Sequence, residues 1–563
     1  MIGRAAAAAA LVWSLGCAGA PATGEPPAAS EPAGAPWFVD EAAARGLTLR
    51  HRSGHEAGRY RLPEIMGGGA ALVDIDGDGD LDALLVQSGV LGGADTGPRH
   101  RLYRNDGTGH FADVTAGSGV EVAGYGMGVA TGDYDGDGDP DVYLTNLGGN
   151  VLLRNDGGGR FTDVTAAAGV AGSGWSTSAA FVDVDADGWL DLFVTRYLDW
   201  TPARERQCFS LTGVVDYCSP SNYDAPTTDL LFRNTGRGTF TDISASAGLT
   251  AARGNGLGVV VSDVDGDGRP DLAVANDATP NHLWMNQGGG RFVEAALTRG
   301  VAVDQDGSPK AGMGIHAADV DDDGDDELVV VNLDTESDSY FRNDGRFFVD
   351  ATSTVGLRVA SRRYTRFGMA LLDFDNDGRL DLYEASGRVG LQGATFTDDP
   401  YAEPNLLLRG VDGPGFREVE PRGGVAAPIV LTSRAAAFGD VDNDGGLDIL
   451  VANRDATPTL LRNVAPSRGH WLLAAVRDAR GADALGARLA VRVGDRVRHV
   501  EVRSAYSYLA ANDPRVHVGL GAATRVEAIE VRWPDGAVER FGPFDADRVV
   551  TLRRGEGSLD AAR

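Results

Sequence analysis

Lysine is almost missing from this chain. Lys310 is the only one in 563 residues, so arginine carries nearly all the positive charge. With the alanine-rich tracts, this is the composition of a GC-rich bacterial genome. Bases are outnumbered 81 to 51, which leaves a formal net charge of −30. The basic face that nucleic acids require is therefore excluded. Three cysteines are too few for a disulfide framework throughout the chain. No apolar run can span a bilayer as a permanent helix. A phosphate-binding loop is absent, and no nucleophile–His–acid set can be picked out. Disorder is excluded too, because 43% of residues are hydrophobic and the acids stand at fixed spacings.

The N-terminus reads as a targeting segment over 1–20: Arg4, the apolar stretch Ala5 to Leu15, then small residues. Two cleavage readings stand side by side. Ser14-Leu15-Gly16-Cys17 reads as a lipobox with Cys17 lipidated, and Ala18-Gly19-Ala20 as an ordinary export signal. Cys208 and Cys218 lie ten apart in one loop and can pair in an oxidising compartment, leaving Cys17 odd. Export follows on either reading, to the periplasm, to an outer-membrane anchor or to the medium. Residues 21–36 are a Pro/Ala-rich tether.

Repetition organises the rest. Seven acidic loops, each D-x-D-x-D-G-x-x-[DE], begin at Asp74, Asp133, Asp183, Asp263, Asp319, Asp373 and Asp440. Between them recurs a second phrase, seen as LYRNDGTGHFADVTAGSGV from Leu102 and LLRNDGGGRFTDVTAAAGV from Leu152. The 50–80-residue period fits a four-stranded propeller blade with insertions. In the second unit the expected strands are 126–132, 142–145, 150–154 and 160–165, with a D-G-G-G hairpin before the last. The seventh loop leads to only two further strands, whereas a spare outer-strand phrase, Phe38-Val39-Asp40, stands at the start. That strand is expected to complete the last blade and close a ring of seven over 37–465, leaving no open sheet edge.

The seven copies can be compared with one another. Loop positions 1, 3, 5 and 9 are Asp74, Asp76, Asp78 and Asp82 in the first, and Asp133, Asp135, Asp137 and Asp141 in the second. They are Asp183, Asp185, Asp187 and Asp191 in the third, and Asp263, Asp265, Asp267 and Asp271 in the fourth. The fifth has Asp319, Asp321, Asp323 and Glu327, the sixth Asp373, Asp375, Asp377 and Asp381, and the seventh Asp440, Asp442, Asp444 and Asp448. Such spacing in a tight turn aims four hard oxygen ligands at one point, as calcium requires. Position 6 is always glycine, position 7 is indifferent, and position 2 is always apolar. EF-hands share the opening but need a glutamate at position 12 and flanking helices; these loops run straight into strands. Up to seven Ca²⁺ are expected, taking the formal charge from −30 to −16, in a structural role.

The loops resemble FG-GAP/VCBS repeats, the blades of the integrin α propeller. The phrase Leu62-Pro63-Glu64-Ile65-Met66-Gly67-Gly68-Gly69, the R-N-D-G-x-G-x-F phrase and the Cys208–Cys218 loop resemble the cartilage acidic protein family. Residues 466–555 resemble an ASPIC/UnbV domain, through Tyr508-Leu509, Asp513-Pro514, His517-Val518-Gly519-Leu520-Gly521 and Val531-Arg532-Trp533-Pro534-Asp535-Gly536. One departure is Ser507, where a glycine is expected before Tyr-Leu. The resemblance implies a secreted calcium-binding protein and no secure enzyme activity. Read from its own alternation, the C-terminal region is a small β-sandwich-like domain with a tail at 556–563. The fold expected is all-β.

Function is expected at the end of the blades opposite the calcium loops. Two long connections emerge there, Arg196–Asp229 and Ser386–Asn405, carrying Tyr197, Trp200, Arg204, Tyr217, Tyr223, Arg388, Phe396 and Tyr401. This mixture suits protein or glycan contacts, or simply caps the propeller. His51, His55 and Glu56 form a weak metal motif, and His517 sits in a strand; both read as structural. The leading expectation is a monomeric extracellular binding or adhesion module for a protein or glycan, touching membrane only through a lipid anchor. The alternative is a glycan- or small-substrate-processing enzyme using the propeller channel.

Overall fold

The computed structural model describes residues 34–559 apart from 92–98, 392 and 414. The signal segment, Cys17 and most of the tether lie outside the described residues. Among the described residues no helix is long and apolar enough to cross a membrane.

Among the described residues seven antiparallel four-stranded sheets are built around the seven acidic loops, each loop joining the first two strands of its sheet, and the first gains an extra strand. The second sheet shows how the sequence builds them. Its inner strand, Tyr125–Gly132, is buried throughout. The acidic loop then turns the chain into Asp141–Leu147, in register with Gly132 opposite Asp141. Val151–Asn155 is the third strand, and Phe161–Asp163 the short outer one. In that outer strand Phe161 is buried while Thr162 and Asp163 face water. These strands match the sequence reading to within two residues at every end.

The inner strands lie side by side in chain order. Ala70–Val73 neighbours Tyr125–Gly132, which neighbours Ser176–Val182, then Gly256–Ser262, Ile315–Ala318, Arg366–Leu372 and Ser433–Gly439. The last of these neighbours Ala70–Val73 again. Small residues make this approach possible: a Cβ on Gly314 would lie 2.1 Å from the Phe367 carbonyl oxygen of the next sheet. Phe38–Asp40 pairs antiparallel with Thr459–Asn463, Phe38 opposite Asn463, as the outer strand of the seventh sheet. Phe38 is fully buried there, edge-on to Phe374 at 5.5 Å between ring centroids.

The C-terminal region forms a three-stranded sheet and a five-stranded sheet around an apolar core that includes Leu489, Ile529, Val531 and Trp533. From it the segment 504–513 reaches in among the inner strands. Ala510–Ala511 runs parallel to Ala70–Val73 as the fifth strand of the first sheet. Ser504 Oγ donates to the Thr131 carbonyl, and Ser178 Oγ accepts from Leu509 N–H. Ser507 exchanges backbone bonds with Ile315, and its hydroxyl accepts from Met369 N–H and donates to the Ala436 carbonyl. Ser507 has φ 80°, the left-handed conformation that explains why a glycine is expected at this place. The serine accepts that backbone cost and gains two hydrogen bonds that glycine could not make.

Candidate metal centres

Each acidic loop is held open by its own carboxylates. In the second loop Asp133 Oδ1 accepts from Gly136 N–H (2.6 Å) and Oδ2 from Gly138 N–H (2.8 Å). Asp137 Oδ1 accepts from Asp139 N–H at 3.0 Å. Asp141 spans the base of the turn, its two oxygens accepting from Tyr134 N–H (3.0 Å) and Asn155 N–H (2.8 Å). Position 9 does the same in all the other loops. Glu327, for example, accepts from Val320 and Asn343 N–H, and Asp448 from Val441 and Asn463 N–H.

Position 3 is different. The Oδ1 atoms of Asp76, Asp135, Asp185, Asp265 and Asp442 are buried and have no hydrogen-bond partner. A buried oxygen without a partner costs about 1–3 kcal/mol, and more on a charged carboxylate. It faces carboxylate neighbours: ligand atoms of Asp133, Asp135 and Asp141 lie within 4.8 Å of one another, as do those of Asp74, Asp76 and Asp78. The same convergence holds for Asp183, Asp185 and Asp191, for Asp263, Asp265 and Asp271, and for Asp319, Asp321 and Asp323. An all-oxygen anionic cradle with orphaned lone pairs fits a hard divalent cation.

Protein charges alone leave these clusters uncomfortable. Burial, reinforced by neighbouring carboxylates, pushes Asp141 and Glu327 up to about 9, Asp271 to about 8, and Asp82 and Asp191 to about 7. Burial, with neighbouring carboxylates, also raises Asp381 and Asp448 well above the ordinary carboxylate range. Arginine relieves part of this. The Arg of the R-N-D-G phrase reaches position 3 from the third strand, as Arg104 to Asp76 and Arg462 to Asp442 (2.6 Å). In the fourth repeat Met285 stands in its place, and Arg299 from the following helical turn pairs with Asp265 at 2.8 Å instead.

The asparagine of the phrase ties neighbouring sheets together. Asn155 Nδ2 donates to the carbonyls of Pro140 in its own sheet and Ile75 in the preceding loop. Asn234 reaches Tyr134, Asn286 reaches Val184, Asn343 reaches Val264 and Asn463 reaches Phe374 in the same way. Asn105 of the first sheet reaches Val441 of the seventh at 2.7 Å. The sixth sheet has Gly410 there and lacks the tie.

The C-terminal domain covers this end with arginine, a feature the sequence reading missed. Residues 466–559 hold fifteen arginines against twelve acids, and that reversal of sign was the available signal. The groups they seek are largely the carbonyls of position-6 glycines. Arg480 donates to Gly188 (2.5 Å), Arg488 to Gly324 (3.1 Å) and Arg496 to Gly378 (3.2 Å). His517 Nε2 donates to Gly445 at 3.2 Å, and burial lowers that histidine to about 4, so it is neutral. Arg503 pairs with buried Asp326 at 2.8 Å.

The opposite end departs from expectation. Tyr197, Trp200, Tyr217, Tyr223, Arg388 and Tyr401 are buried, leaving only Arg204 and Phe396 exposed among the residues singled out there. The aromatics pack into the main core cluster with Trp175, because the long connections fold back over the sheet ends. Capping, not a ready contact surface, is what they do. His55 pairs with Glu64 (3.0 Å) and lies 3.2 Å from the Tyr217 hydroxyl, not with Glu56, while His51 is buried against Ser88. Cys208 and Cys218 form a disulfide.

Acid-looped four-stranded sheets in series, with a β domain set on their loops, define a repeat protein of the β-propeller class. The chain belongs to the FG-GAP-like repeat family, whose profile matches 74–144, 133–194, 212–274, 263–330 and 319–384, together more than half of its length. Residues 478–559 match the ASPIC and UnbV family. Cartilage acidic protein 1 of Mus musculus is 27% identical over 308 residues, covering 52% of this chain and 44% of that protein. The Homo sapiens protein is 27% identical over 312 residues, covering 52% and 43%. The match thus spans less than half the length of these relatives. Among solved structures, an Agrocybe aegerita lectin that recognises non-reducing terminal N-acetylglucosamine is 15% identical, with TM-score 0.37, over 69% of this chain and 86% of that one. An exotype rhamnogalacturonan lyase is 12% identical, with TM-score 0.30, over 74% and 91%. Neither likeness bears on binding or activity here.

Proposed function

We propose that this chain is an exported, calcium-binding, closed seven-bladed propeller that serves as an extracellular binding module, with its calcium in a structural role. The orphaned position-3 oxygens carry the calcium reading, since one buried unpartnered carboxylate oxygen recurs in five loops. All 28 carboxylates at positions 1, 3, 5 and 9 are assigned as ligands, up to one Ca²⁺ per loop. The cycle of inner-strand neighbours, the Asn105–Val441 tie and the pairing of Phe38–Asp40 with Thr459–Asn463 support a closed ring. On this reading 37–465 is the propeller and 466–555 the domain that caps it. The Cys208–Cys218 bridge supports an oxidising compartment. The segment 504–513 lies where a channel substrate would sit, which weighs against the channel-enzyme alternative.

The cation's part is to neutralise clustered acids, and these residues supply the oxygens, the turn and the second-layer bonds. The test is calcium stoichiometry by elemental analysis together with thermal melting in excess EGTA. Several bound calcium ions per chain and a melting temperature lowered by ten degrees or more are expected. An unchanged melt after complete calcium removal would refute the structural role.

A further inference from the structure

Residues 207–215, QCFSLTGVV, run nine positions without a charge in a chain where 23% of residues are charged. They form a two-stranded hairpin, Cys208–Phe209 against Val215–Asp216, stapled at its root by the Cys208–Cys218 disulfide. Asp216 locks the root further: its buried carboxylate accepts from the Tyr401 hydroxyl (2.8 Å) and from Leu391 N–H (2.5 Å). At the tip, Leu211 is 98% exposed, Phe209 59% and Val214 51%. The tip turn is closed by Ser210 and Val214, whose backbone groups bond at 2.8 Å. Arg206 is exposed at the root, where the uncharged run begins, and exposed Arg204 beside it pairs with Asp199 at 2.7 Å.

We infer that this finger inserts into a lipid surface, its tip entering the boundary between headgroups and acyl chains. Two observations choose lipid over a protein socket, and a third favours insertion of either kind. Protein hot spots favour Trp, Tyr and Arg and disfavour Leu, Val, Ser and Thr, which make up most of this tip. Phe and Leu beside arginine form the composition of interfacial anchors, apolar side chains in the boundary and guanidinium groups at headgroup level. The finger is ordered by a disulfide and a buried carboxylate, so insertion requires little further ordering. It rises from the connection after the third sheet's second strand, at the end away from the acidic loops, so their charge is kept from an anionic surface. This contact is additional to any lipid on Cys17 and independent of the cation sites.

The test is co-sedimentation of the full chain carrying Cys17→Ser with vesicles of phosphatidylethanolamine and phosphatidylglycerol. The Cys17→Ser chain should pellet with vesicles, and adding Leu211→Asp should lower partitioning at least about ten-fold while the melting temperature stays unchanged. A Leu211→Trp chain should show a blue-shifted emission on adding the same vesicles. A finger made for a protein socket would leave both vesicle readouts unmoved, and the inference would fall. It would fall equally if Leu211→Asp pelleted as well as its parent.

Discussion

The two ends of the sheets are built on opposite plans. At the loop end one nine-residue turn recurs seven times, and in most copies its carboxylates converge to within 4.8 Å of one another. At the other end the long connections differ from one another, and their charges are paired within the protein: Arg366 with Asp338 (2.7 Å), Arg388 with Glu403 (2.9 Å), and Arg434 with the carbonyls of Ile65 and Gly387. On the proposed calcium reading, repetition marks where stability depends on something from outside. Irregularity marks where the chain meets each buried charge case by case, and not always fully: both carboxylate oxygens of buried Glu384 lack a hydrogen-bond partner.

The ring reading is the first thing to break. Deleting residues 37–47 exposes the edge of Thr459–Asn463 and removes buried Phe38 and Leu47. The expected outcome is loss of cooperative melting, seen by calorimetry at any calcium concentration. A truncated chain that still melts as one unit, close to the full chain's temperature, would mean that the first strand is dispensable.

Within the loops, positions 3 and 9 should behave differently. Asp141→Ala leaves Tyr134 and Asn155 N–H groups buried without acceptors and should cost about 3 kcal/mol in EGTA, and more with calcium, of which Asp141 is also a proposed ligand. Asp135→Asn should cost stability only when calcium is present, because in EGTA it removes a crowded negative charge. Denaturant titrations in both buffers check this, and equal losses for the two variants in EGTA would erase the distinction.

Metal-free protein should also have a pH dependence of definite sign. Asp141, Glu327, Asp271, Asp82 and Asp191 titrate at about 7 to 9 when folded, above their ordinary values of 3.8 and 4.5. Between pH 5 and 9 the folded state thus holds protons that the unfolded chain has released. Their stabilising contribution is full below pH 4 and lost as pH rises through 7 to 9. In EGTA the melting temperature should fall from pH 5 to pH 9. With calcium the slope should flatten or invert, because binding needs the ionised form.

What could be read from residues follows from this contrast. The acid spacing, the apolar position 2 and the displaced Phe38-Val39-Asp40 phrase gave loops and strands, because each repeats and so serves as its own control. Ties between sheets were on view in the asparagine of R-N-D-G but could not be assigned, since a side-chain amide does not announce its partner. The buried aromatics were misplaced because Tyr and Trp suit a contact surface and a packed cap equally well. Arginine contacts to glycine carbonyls were hidden for a plainer reason: backbone acceptors leave no trace in a sequence.

The smallest effect concerns the segment that joins the two ends. Tyr508 is fully buried; its hydroxyl donates to the Met66 carbonyl at 2.8 Å and its ring meets Phe367 edge-on, with 4.9 Å between centroids. Met66 lies on the approach to the first inner strand, away from the acidic loops, so this bond carries the C-terminal domain's hold through to the far end. Tyr508→Phe keeps the ring contact and removes only the hydroxyl, for an expected loss of about 1 kcal/mol. If the domain serves only the loop end, that loss should disappear in EGTA along with the calcium-bound turns. If the segment is a separate brace, the loss should be the same in both buffers, and chemical denaturation of the two proteins decides between them.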